Sequence, residues 1–308
     1  MMRRALILLT TILLSLLLFS CELFMKEPQA GKVYGIFVAL DYDGLNQTIL
    51  KGTIPDAVEQ NKAFAALADG KYEGYLFVQK KDGIIDQTTI NGTTIELYPT
   101  VENIEDAITA LSGITTSNDL VLFTFSGHAR VGTIAMAPMA GDGIVEYDVS
   151  QLLDLFSTVK GRKLIILDAC KTGLAVPIDP ASSSTLLENS IATWYRKYFD
   201  NDRSVKGDLF IMSSSANTDS YETTFGGKPH GVFTYALLQA LGWDVDQGKM
   251  SKATPPAATG KRLTVDGLFS YIKMHQAFPI KRTLFNLLDE FQHPMVNGGA
   301  LDMILFTF

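Results

Sequence analysis

Two residues in this sequence join reactive chemistry to a place at the end of an apolar run. His128 follows residues 119–125 (DLVLFTF), and Cys170 follows residues 163–167 (KLIIL). A free thiol titrates near about 8.5 and is only a few per cent thiolate at neutral pH. An imidazole beside it takes the thiol proton and later protonates a leaving amine, the division of labour of thiol-dependent acyl transfer. The small neighbours Gly127 and Ala169 leave room for a substrate backbone. Backbone N–H groups beside the nucleophile can hold an oxyanion, each contributing about 2.7–4 kcal/mol. Taken singly, a buried cysteine is ordinarily a small hydrophobe, and a histidine after a strand is ordinarily a turn residue. The two together at successive strand ends carry the reading.

Strands and helices must bring these residues to one edge. Residues 32–40, 74–79, 119–125, 163–167, 208–212 and 301–308 read as strands, the first five as short apolar runs of the kind buried in parallel sheets. Residues 55–68, with Pro55 in the first turn, and residues 101–111, 149–159, 232–241 and 265–274 carry helical spacing, with a further helical stretch near 191–199. Asn91-Gly92 between β-prone residues predicts a hairpin over 88–97. Residues 41–54 read as a loop and 249–260 as a flexible stretch. Strands alternating with helices predict an α/β fold, a mostly parallel sheet covered on both faces. The crevice outside the carboxyl ends of such strands is where ligands bind, and both reactive residues belong to that edge.

Arg3 and Arg4 precede an uncharged, mostly apolar run over 5–20, shorter than the roughly 20 residues that span a bilayer and of signal-peptide length. The run ends Leu18-Phe19-Ser20-Cys21, which resembles a lipobox. The expected organisation is a signal peptide over 1–20, a tether over 21–31 and one domain over 32–308. The protein is then expected in a bacterial cell envelope, held to the membrane by acyl chains on Cys21, each buried CH₂ contributing about 0.8 kcal/mol. With Cys21 acylated, Cys170 is a lone thiol, since the chain has only these two cysteines. The net charge of −7, without a basic run, argues against nucleic acid as a partner. No Cys/His spacing matches a zinc site.

The segments FTFSGHA at 123–129 and LIILDACKTG at 164–173 resemble the two catalytic segments of the caspase/metacaspase family, in the same order. Residues 53–67, 209–222 and 230–241 resemble the family's first helix, the strand and turn after the nucleophile, and the following helix. The resemblance implies a caspase-like three-layer sandwich with a six-stranded, mostly parallel sheet. It implies a cysteine endopeptidase acting on peptide or protein substrates through a His128/Cys170 dyad. It further implies an oxyanion hole from the backbone N–H groups of Cys170 and Ala129, the latter standing where the family usually has glycine.

The resemblance also assigns a substrate pocket. Asp56, Asp168 and Ser126 match the acidic pocket positions of metacaspases, which cut after Arg or Lys. Two carboxylates in a cleft favour a cationic side chain and repel an aspartate. Away from the resemblance, Asp56 also reads as a charge at a helix N-terminus and Asp168 as a loop cap. No cofactor is expected, but Ca²⁺ activation known in some metacaspases leaves Asp142, Asp148 and Asp179 as candidate ligands, without a calcium-loop spacing. Self-processing is expected at a basic residue among Arg196, Lys197, Arg203 and Lys206. The competing reading is a catalytically inactive caspase-like lipoprotein serving as a binding or scaffold module. His230 reads as a capping or surface residue, His275 and His293 as structural, and Phe123 and Phe125 as core.

Overall fold

The computed structural model describes residues 31–79, 85–130, 132–169, 208–214, 220–276, 292, 294–298 and 301–308. Five parallel strands form the sheet: β1 (Val33–Ala39), β2 (Tyr72–Val78), β5 (Leu120–Gly127), β9 (Arg162–Ala169) and β10 (Leu209–Ser213). A sixth, β16 (Met295–Gly298), pairs antiparallel with β10, giving the order β16-β10-β9-β5-β1-β2. β1 and β5 are buried at every residue, which is why both read as unbroken apolar runs rather than alternating ones.

Successive side chains of a strand point to opposite faces, and each face has its own core. Ile36, Val38, Phe123, Phe125, Ile165 and Leu167 pack with residues of α2 (Val101–Ser112) and α3 (Val149–Phe156). Phe37, Ala39, Leu122, Leu164, Phe210 and Met212 pack with residues of α1 (Thr53–Leu67), α4 (Val232–Leu241) and α5 (Val265–His275). The expected three-layer α/β sandwich is the fold. Thr100, Asp148 and Thr264 cap α2, α3 and α5 by accepting from Asn103, Ser150 and Gly267 backbone N–H groups. At α1 the N-cap is Gly52, which has no side chain to offer.

The chain leaves β1 to place β2 on one side and later β5 on the other, so the strand order reverses at β1. Crevices open at that point, beside the carboxyl ends of the strands.

Several expectations change. The C-terminal run, expected as 301–308, forms β17 (Ile304–Thr307), which pairs with β15 (Arg262–Thr264) outside the main sheet. The sixth sheet strand is instead β16, whose four residues (MVNG) carry no apolar run to announce it. The stretch 249–260, expected to be flexible, is tied down. β14 (Lys249–Met250) pairs with β13 (Trp243–Asp244), and backbone bonds join Ser251 to Gly242 and Ala257 to Ala240. The hairpin at Asn91-Gly92 is present, between β3 (Gln87–Ile90) and β4 (Thr93–Glu96), with both turn residues at positive φ (48° and 80°) as such a turn requires. Two small antiparallel units were not anticipated. One is the meander β6 (Ala129–Arg130), β7 (Thr133–Met136) and β8 (Val145–Asp148), the other the hairpin β11 (Glu222–Phe225) and β12 (Lys228–Gly231).

Candidate active site

β5 and β9 run side by side with Ser126 opposite Asp168 and Gly127 opposite Ala169. His128 is the residue after Gly127. Cys170 is the residue after Ala169 and, like Cys21, lies outside the described residues, as do Asp179, the stretch 191–199 and the basic residues considered for self-processing.

The loop after β1 builds the histidine's setting. Nε2 of His128 lies 2.7 Å from the carbonyl oxygen of Thr48, which can only accept, so Nε2 carries the proton and Nδ1 is left as the basic nitrogen. Among the described residues Nδ1 has no hydrogen-bond partner. The backbone N–H of His128 donates to the Tyr42 hydroxyl at 2.7 Å, and that hydroxyl donates to the Ala135 carbonyl at 2.9 Å. Tyr42 is fully buried with its ring 4.5 Å from the imidazole, centroid to centroid. It holds φ at 64°, a left-handed conformation that strains a bulky residue by about 1–3 kcal/mol and tends to mark functional sites. Gly127 makes this approach possible, because a Cβ there would run into the Tyr42 hydroxyl. Ala129, in β6, avoids positive φ.

Beside this lies a pocket lined by Leu50, Thr53, Asp56, Ser126, Asp168 and Glu222, among others. Asp56 enters from the first turn of α1, and Asp168 from the end of β9. Asp56 Oδ2 accepts from the Ser126 hydroxyl and the Gly231 N–H, both at 3.0 Å, while Oδ1 meets Nδ1 of His230 at 2.8 Å. Asp168 Oδ2 accepts from the Thr234 hydroxyl at 2.7 Å and backbone N–H at 3.0 Å, and Oδ1 from the Ser220 hydroxyl at 2.7 Å. Both acids therefore face the N-terminus of α4, whose dipole favours negative charge. Gly231 stands between them. A Cβ there would meet Asp168 Oδ2 and lie 3.0 Å from Asp56 Oδ2.

Burial dominates the titration of both acids. It pushes Asp56 up to about 7, with His230 pulling the other way and Asp168 adding to the rise. Asp168 is raised too, burial outweighing its Ser220 and Thr234 donors. Among the described residues neither acid meets a lysine or arginine, and the ionisable group against Asp56 is His230. Asp56 is thus more than a helix-end charge, and Asp168 caps α4 from another element rather than its own loop.

The structure brings together His128, Asp56, Ser126 and Asp168 at one sheet edge. His230, expected to be a cap or surface residue, is instead fully buried against Asp56. His275 stacks on Tyr271 at 3.7 Å and plays no part here; the side chain of His293 is outside the described residues. Asp142 accepts from Asn46, and Asp148 caps α3. Among the described residues no group of three or more His, Cys, Asp or Glu is placed to hold a metal ion. Sequence reasoning missed Thr48, which acts through its backbone and leaves no side-chain signal, and Tyr42, whose only hint was a loop following a central strand. It also missed Glu222 and Thr234, placed by tertiary packing.

The caspase-domain profile matches residues 38–254, most of the chain. The protein belongs to the caspase-domain family, a family of cysteine peptidases. Its structure resembles the crystal structure of caspase-1 from Spodoptera frugiperda at 14% identity, with a TM-score of 0.52 over 91% of this chain and 90% of that one, a likeness of fold. No curated protein matches the chain.

Proposed function

We propose that the protein is a cysteine endopeptidase that cuts after Arg or Lys, with Cys170 as nucleophile and His128 as its acid and base. The observation that carries this reading is the register of Gly127 with Ala169. His128 and Cys170 are the next residues in the chain after these two partners. The Cys170 thiol loses its proton to Nδ1 of His128 and attacks the scissile carbonyl carbon. The resulting oxyanion takes hydrogen bonds from the backbone N–H groups of Cys170 and Ala129. Nδ1 returns the proton to the leaving amine as the C–N bond breaks. Water then releases the acyl group by the same route. Thr48 holds Nε2–H so that Nδ1 serves throughout.

Asp56 and Asp168, which meet no described lysine or arginine, favour in their ionised form a guanidinium or ammonium side chain held with Ser126. Peptide libraries carrying Arg, Lys or Asp at the residue before the cut test the preference, and faster cleavage after Asp sinks it. Cys170→Ala should abolish hydrolysis with little change in melting temperature. An activated thiol should also react with iodoacetamide at pH 6 nearly as fast as at pH 8. We further propose that the protein is lipid-anchored in a bacterial envelope through Cys21. Mass spectrometry of the mature N-terminus decides this, an unmodified Cys21 counting against it.

A further inference from the structure

His230 is a buried, ionisable residue that the mechanism above does not use. It sits in β12 with no solvent exposure, and Nδ1 lies 2.8 Å from Asp56 Oδ1. Nε2 is also buried and has no partner among the described residues. The ring is therefore held by one polar contact, to the pocket acid. The other groups that Asp56 meets, the Gly231 N–H and the Ser126 hydroxyl, are neutral donors. Charge facing Asp56 comes from Asp168 on β9, which disfavours a second anion, and from Glu222 on the pocket lining, which faces the backbone of Lys51 and Gly52. Glu59, one turn along α1, is engaged with Trp243 and Lys62. Against burial and the neighbouring Asp168, His230 is the one ionisable donor among the described residues that favours an ionised Asp56.

Resting on the pocket reading above, we propose that His230 is a positioning residue that donates Nδ1–H to Asp56, biases that carboxylate toward its ionised form beneath the pocket, and so tunes the pocket's preference for a cationic side chain. The imidazole need not touch the substrate. It acts by fixing which protonation state of Asp56 the substrate meets. Because burial leaves Asp56 titrating near 7 even with this donor in place, the preference strengthens as pH rises through neutrality. Losing the donor moves that transition higher.

The test uses the detergent-solubilised full chain and calorimetric binding of n-butylguanidine, with n-butylurea as its neutral isostere, from about pH 5.5 to 8.5. In the unaltered protein the guanidine should bind more tightly than the urea, and the ratio should rise with pH through a midpoint near neutrality. His230→Leu removes the donor and should move the midpoint up by at least about one pH unit, weakening guanidine binding at pH 7 several-fold to about tenfold. His230→Asn restores a neutral donor at the Nδ1 position and should return the midpoint to within about half a unit. A flat ratio in the unaltered protein overturns the proposal even if His230→Leu fails to fold. So does a His230→Leu protein with an unshifted midpoint, or a His230→Asn protein that behaves like His230→Leu. Peptide cleavage is read separately. A chain that cuts no peptide yet shows the binding pattern defeats the peptidase reading alone, and one that cuts after Arg with no effect of His230 defeats this proposal alone.

Discussion

Nε2 of His128 lies 2.7 Å from the carbonyl oxygen of Thr48, a residue eighty positions earlier in the chain. A backbone carbonyl only accepts, so this contact keeps the proton on Nε2 and, in the neutral ring, leaves Nδ1 as the accepting nitrogen. The Tyr42 hydroxyl fixes the same residue from its other end, by accepting its backbone N–H.

Tyr42→Phe should therefore do two things. It leaves the Ala135 carbonyl without its donor and the His128 N–H without its acceptor, at a stability loss of about 1–3 kcal/mol. It also loosens the histidine, so kcat should fall more than KM changes. Urea unfolding and peptide hydrolysis measure the two. Unchanged stability together with unchanged kcat would show that the hydroxyl positions nothing.

Gly231→Ala places a methyl group between the two pocket acids, against Asp168 Oδ2. The strain should lower stability by about 1–3 kcal/mol and raise KM for substrates with a basic side chain, with a smaller effect on neutral ones. If KM for both substrate types moves equally, the acids do not form the cation's seat.

Asp56 predicts a pH dependence of stability with a definite sign. Its titration lies near 7 in the folded chain and near about 3.9 when unfolded. Between those values the folded state binds the extra proton, so this residue's contribution to stability falls as pH rises from about 4 to about 7. Asp56→Asn removes that trend. The stability of Asp56→Asn relative to the unaltered protein should thus increase across the window, as read by denaturant unfolding at several pH values. A difference that stays level would place Asp56 at an ordinary carboxylate value.

Glu222 ties down the chain at the entry to α1. Its carboxylate accepts from the Lys51 N–H at 3.0 Å and the Gly52 N–H at 2.8 Å, just before α1, and so links β11 to the helix that bears Asp56. Glu222→Gln keeps an acceptor but loses the charge facing the helix dipole. It should lower stability by about 0.3–1 kcal/mol at low salt, an effect that shrinks as salt is added. Thermal melts across ionic strength check this; a salt-independent loss would mean that only the hydrogen bond matters.

The linear order of residues determined most of the frame. Apolar runs such as DLVLFTF and KLIIL could only be buried strands, because a strand covered on both faces needs apolar residues at every position. Helical spacing marked five of the covering helices, and Asn91-Gly92 marked a turn that few other residue pairs tolerate. Because His128 lies just beyond one such run and Cys170 just beyond another, their proposed pairing could be read before any contact was known. What had no local signature was decided by tertiary structure alone. β16 is a strand only because β10 offers it an edge. Thr48 matters through a carbonyl that every residue possesses. His230 reads as a surface residue in its own neighbourhood and becomes buried because α1 brings Asp56 to it across 174 positions. Periodicity reports which face of an element is apolar; it is silent on which distant polar atom a buried group will meet, since that depends on how the elements close over the sheet.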